Sequence, residues 1–223
     1  MDDIHEVIRT IKASFRSFMN GVASQSMRDK GLNYKLNFGI EYPRIKEIAA
    51  QYEPNHELAQ ALWKENIREC KIMAGLLQPA DTFYPEIADI WIEDMHFPEI
   101  AEYTVMNLFQ NMPYASEVVF RWMADDRDYF RMCGLLLSAR LFMKKIPLNE
   151  RAEAEFMDQA LTALQDDKFF IQRSASVALR KYALISRENS RKVTRQIDLL
   201  CKSERPNVAI LVHEIKNDIE YCS

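Results

Sequence analysis

Glycine is scarce, with five in 223 residues. An all-β fold with many turns needs far more freely bending positions, so the shortage argues against one. Long apolar runs are missing, and none approaches the roughly 18 residues of a membrane-spanning helix. No membrane segment is therefore expected. The start, MDDIHEVIRTIKASF, is acidic and then amphipathic, without the basic opening and apolar block of a signal peptide. Cys70, Cys133, Cys201 and Cys222 are far apart and form no CxxC. Such spacing points to reduced thiols in a cytoplasmic protein, not to a disulfide framework or a zinc site. His5, His56, His96 and His213 sit at no metal-ligand spacing, and His213-Glu214 lacks the second histidine of a metalloprotease helix. GxSxG, P-loop and GxGxxG patterns are absent. No metal and no cofactor is expected.

What the chain does have is hydrophobic content, 48% of residues, arranged at helical spacing. The stretch Asp166 to Ala183, DDKFFIQRSASVALRKYA, carries the pattern most fully. Two carboxylates open it, where unpaired backbone N–H groups favour negative charge. Phe170, Ile171, Ala175, Ala178, Leu179 and Tyr182 form one apolar face. Ser174, Ala175, Ser176 and Ala178 are small enough for a neighbouring helix to come close. A similar outline, Asp125 to Ala139, lies 42 residues earlier, placing Asp167 on Asp125 and Arg173 on Arg131. A period near 40 is typical of HEAT and armadillo solenoids.

Read in order, the pattern predicts a long helix from Asp2 to about Met27, then a loop. Pro43 opens a short helix to about Gln51. Asn55 caps Glu57 to Glu65, and Ile67 to Leu77 is its partner. Asp81 or Thr82 caps a helix through Trp91, and Pro98 to Gln110 and Tyr114 to Ala124 follow. The last five run from about Arg127 to Lys144, Asn149 to Gln165, Lys168 to Ile185, Glu188 to Ser203 and Pro206 to Tyr221. No period-2 run insists on a strand. The expected fold is all-α, an α-α superhelix (solenoid) of HEAT-like antiparallel helix pairs, with residues 1–223 as a single domain.

The net charge of −4 hides an asymmetry. Residues 81 to 126 hold ten acidic side chains and one basic, Arg121. Residues 168 to 205 hold ten basic and three acidic. A basic third suggests a polyanion for one face, and the acidic middle suggests a basic protein partner. Solvated helix faces explain the same counts more plainly. Glu93, Asp94, Glu99 and Glu102 lie close enough in sequence for acid–base work. Trp63, Trp91 and Trp122 each fall on an amphipathic helix, where core packing is the default role.

Phe38-Gly39-Ile40 before Pro43, then Leu62-Trp63, Arg68-Glu69 and Ala74-Gly75-Leu76-Leu77, resemble the N-terminal half of the DNA alkylation repair family. Arg121-Trp122-Met123-Ala124, Arg131, and the block from Phe169-Phe170-Ile171-Gln172 to Leu179-Arg180-Lys181-Tyr182-Ala183 are similar to its C-terminal half. The family includes alkylpurine DNA glycosylases built from HEAT-like repeats. The resemblance implies a curved stack with a basic concave channel for double-stranded DNA, damaged or non-standard forms included. In active members the damaged nucleotide lies against tryptophans, and an aspartate assists departure of the base.

Carried over residue by residue, Arg131 and Arg180 match positions that contact the DNA backbone. Arg173 and Lys181 join them on charge and position alone. The family's Trp-x-x-x-Asp element falls, without gaps, on Asp94 and Pro98, and its second tryptophan on Val177. Trp91, Glu99 and Glu102 are the nearby substitutes. The resemblance thus implies DNA binding with weak, altered or absent excision of alkylated purines. An active glycosylase with a changed site and a non-enzymatic protein-binding scaffold are the alternatives.

Overall fold

The computed structural model describes residues 3–201 and 205–222, without the Cys222 side chain. The expected helix start at Asp2 and helix end at Ser203 lie outside the described residues. The rest is all-α, and no strand occurs among the described residues. One isolated parallel bridge joins Leu36 to Ile67. The chain divides into two compact units, Met1–Pro113 and Tyr114–Ser223.

The first unit contains α1 (Ile4–Ser17), α2 (Gly21–Asp29), α3 (Tyr42–Ala49), α4 (His56–Lys64), α5 (Arg68–Leu77), α6 (Pro85–Glu93) and α7 (Pro98–Asn107). The single helix expected from Asp2 to Met27 is two. Asn20 interrupts it by accepting a hydrogen bond from the Ala23 N–H through its side chain, which caps α2. Asn55 caps α4 in the expected way, accepting from the Leu58 N–H at 2.8 Å. The helix expected from Asp81 starts later, at Pro85. Ala80–Thr82 instead forms a 3-10 turn, and Pro85 takes an early helical position where no N–H is needed.

The second unit contains α8 (Ala115–Met123), α9 (Asp128–Met143), α10 (Glu150–Leu164), α11 (Phe169–Ala183), α12 (Arg187–Asp198) and α13 (Pro206–Cys222). α11 packs against α9, α10, α12 and α13, so the Asp166–Ala183 stretch is the hub of this unit. Small residues allow the close approach. A Cβ on Gly134 of α9 would lie 2.5 Å from the Met123 backbone nitrogen of α8. Ala175, fully buried, holds the corresponding place in α11.

The structure also resets the repeat. Asp125 accepts from the Arg127 N–H at 2.9 Å, and Asp166 accepts from the Lys168 N–H at 2.8 Å. Arg127 and Lys168 are the residues that precede α9 and α11. The repeat is therefore 41 residues, not 42, and Arg131 corresponds to Gln172 rather than to Arg173. The carboxylate that begins the second copy is Asp166, whose hydrogen-bonded turn precedes α11, and not Asp167.

Candidate nucleic-acid interface

The first unit holds the stretches that carried the N-terminal resemblance, and they meet in space. Arg68 and Glu69 open α5, exposed by only 2% and 0%. Glu69 accepts hydrogen bonds from the Phe38 N–H at 3.1 Å and the Ile40 N–H at 3.3 Å. Between them Gly39 adopts φ 67°, and a Cβ there would lie 2.2 Å from the Asn20 carbonyl oxygen. Arg68 donates to the Ile40 carbonyl at 2.9 Å and to Glu99 at 2.6 and 2.9 Å. Tyr34 also donates to Glu99, at 2.9 Å. Burial pulls the Arg68 guanidinium down, but its hydrogen bonds and charge interactions with Glu99 and Glu69 outweigh this and hold it above its ordinary value. Burial first, and then the Glu99 charge, push Tyr34 up. The cluster is a clamp that fixes the loop before α3.

Of the substitutes considered for excision, Glu99 is thus engaged by Arg68 and Tyr34. Trp91 is 1% exposed. Its ring stacks on Trp63 with centroids 4.0 Å apart and planes 5° apart, and Phe83 meets it edge-on. Its indole N–H donates to Gln60 at 3.2 Å. Glu102 is exposed on α7. Asp94 pairs with Lys71, whose ammonium lies over the Trp63 ring. Trp63, Lys71, Trp91 and Asp94 line a shallow cleft of about 420 Å³ together with His96. Among the described residues, no group of three His, Cys, Asp or Glu could hold a metal ion.

The basic candidates all lie in the second unit. Arg131, near the start of α9, is ion-paired to Asp166 and sits 3.9 Å from Asp128. Arg173, Ser176, Val177 and Arg180 form one ridge of α11, at the spacing that aligns side chains on a helix. Leu211, Glu214, Asn217 and Asp218 of α13 face them across an open groove of about 390 Å³. Arg180 is ion-paired to Asp218. Arg173 is exposed and has no ion-pair partner among the described residues. Lys181 is half-buried, one residue further round the helix. Ser176 is 1% exposed, and its hydroxyl has no hydrogen-bond partner.

The structure therefore brings Arg173 and Arg180 to one groove, while Arg131 belongs to the ionic cluster at the starts of α9 and α11. Sequence reasoning missed Glu214 and Asp218. They lie more than 30 residues from the arginines they face, and only their spacing of four on α13 hinted at a shared face.

The family model described as DNA alkylation repair enzyme matches residues 11–198. The chain belongs to the DNA alkylation repair family. No curated protein matches the sequence significantly. A solved structure described as "a new family of proteins related to the HEAT-like repeat DNA glycosylases with affinity for branched DNA structures" matches with a TM-score of 0.82. It is 13% identical, and the match covers 96% of this chain and 94% of that one. At that identity the likeness establishes the HEAT-like fold. Val177 lines the α11 groove. Among the described residues, no helix is long and apolar enough to cross a membrane.

Proposed function

We propose that this chain binds double-stranded DNA through the α11 face of its second unit, with weak or absent excision of alkylated purines. The observation that carries the reading is the α11 ridge, where the unpaired Arg173 and the partly exposed Arg180 flank an open groove. Lys181 extends the charge along the same helix. Guanidinium and ammonium groups on phosphates give binding that is largely independent of sequence and sensitive to salt. Arg131 contributes once a phosphate competes with Asp166. The burial of Trp63, Trp91 and Trp122 supports weak excision, as does the Glu99 carboxylate tied to Arg68. The similar structure's affinity for branched DNA makes a junction the first alternative ligand to compare.

The test is a gel-shift titration of linear duplex and four-way junction with wild type and the Arg173→Ser and Lys181→Ser variants. Saturable binding that weakens in both variants is expected. No shift at low salt would end the reading. Chromatography of alkylated duplex after long incubation is expected to show little or no released base, and rapid release would restore the glycosylase reading.

A second reading rests on the acidic middle, where Tyr84 and Ile90 are 63% and 60% exposed at α6. Acidic residues beside exposed apolar ones suit a basic protein partner. An Ile90→Asp variant separates the two readings, because DNA binding is expected to survive it.

A further inference from the structure

α12 carries a row of charge that neither the groove nor the ionic clusters use. Arg187, Arg191 and Arg195 recur every four residues and are all exposed. Each step advances about 6 Å along the helix and turns about 40°, so the three share one outward stripe. Val193 and Ile197, fully buried, define the opposite, inward side.

Several cations of the second unit are otherwise engaged. Arg127, Arg131, Lys168, Arg180, Lys192 and Lys216 each face a carboxylate. The three arginines of the stripe have no ion-pair partner among the described residues. Lys192 accounts for much of this. It holds Glu153 of α10 at 2.6 Å and Glu188 of α12 itself at 3.0 Å, so it occupies the acids best placed to quench the stripe. Glu150 and Asp158 remain across the α10–α12 groove from Arg195 alone.

We propose that this α12 stripe is a second phosphate-backbone binding surface, engaging a strand of DNA apart from the α11 groove. The proposal rests on the DNA-binding reading above. Planar guanidinium forks match phosphate oxygens in pairs, and a regular row of them suits a regular row of phosphates. A protein interface would need an apolar centre. Between Arg187 and Gln196 the stripe exposes only charged and polar side chains. Because Arg195 shares its groove with acids, it contributes least of the three.

The test compares wild type, Arg187→Ser/Arg191→Ser/Arg195→Ser and the corresponding triple lysine variant by fluorescence anisotropy on a labelled duplex. Circular dichroism melting checks that all three are folded, which the exposure of these positions favours. The slope of log affinity against log salt is expected to fall by about 0.9 for each phosphate that the serine variant no longer neutralises, up to about 2.7. The lysine variant is expected to keep most of the slope. An unchanged slope in the serine variant, with wild type binding normally, overturns the stripe and leaves the α11 reading intact. Wild type that binds no DNA overturns both. Wild-type binding to phosphatidylserine vesicles that the serine variant loses, while its DNA slope holds, assigns the stripe to a membrane surface and overturns the proposal.

Discussion

Asp218 of α13 meets Arg180 of α11 across the groove, and both side chains remain about one-third exposed. A pair this open contributes little to stability, about 1 kcal/mol or less. A phosphate can therefore take the guanidinium from the carboxylate at small cost. Asp218→Asn removes the competitor and a like charge facing the DNA. Affinity for duplex is expected to rise roughly two- to fivefold at low salt, on the scale of an exposed ion pair. Anisotropy titration checks this, and adding Arg180→Ser is expected to cancel the gain.

Trp91 belongs to the core of the first unit, stacked on Trp63 and hydrogen-bonded to Gln60. Trp91→Ala is expected to cost about 3–5 kcal/mol of stability, as large aromatic truncations in cores do. Urea unfolding measures it. DNA affinity is expected to hold while the protein stays folded. A variant that keeps its stability but loses base release would instead assign Trp91 to chemistry.

Glu69 is the acceptor that joins α5 to the Phe38–Ile40 loop. Glu69→Ala leaves buried Arg68 with one of its two carboxylate partners and frees two buried N–H groups. A loss of about 3–5 kcal/mol is expected. Denaturant midpoints decide it, and a loss below about 1 kcal/mol would refute the clamp.

Asp125 supplies a pH dependence. The hydrogen bond from the Arg127 side chain leads in pulling its carboxyl down, to about 2, against some opposing burial. Its folded value lies below the unfolded value of roughly 4. The stability it contributes is therefore present above about pH 4 and is lost as pH falls toward 2. Asp125→Asn is expected to unfold more readily than wild type at pH 6. The gap is expected to narrow progressively between pH 4 and pH 2, which urea midpoints across pH can follow.

What could be read from the chain alone follows a physical divide. Features set by neighbours in sequence were legible: the Asn55 cap, the opening of α3 near Pro43, the small residues of α11. The break at Asn20 was not read, because the apolar stripe runs through Met19 up to it. Features set across helices were not legible. Nothing near Arg131 announces Asp166, and nothing near Arg180 announces Asp218, so the ion pairs of both arginines emerge only in the fold. The arginines of α12 recur every four residues, yet their freedom depends on Lys192 reaching Glu153 in another helix. Trp91 enters as a substitute because it lies one helical turn from the position of the family's tryptophan, whereas its burial depends on Trp63 and Phe83.

The central claim is that the second unit meets DNA through the cations of α11. The most direct measurement is anisotropy of a labelled duplex titrated with the full chain from 50 to 200 mM salt, beside an Arg173→Ser/Arg180→Ser/Lys181→Ser variant. Wild type is expected to bind saturably, with log affinity falling linearly in log salt, and the variant's slope to be shallower by about 2 to 3. Equal slopes for the two proteins, or no saturable binding at 50 mM, would contradict the account.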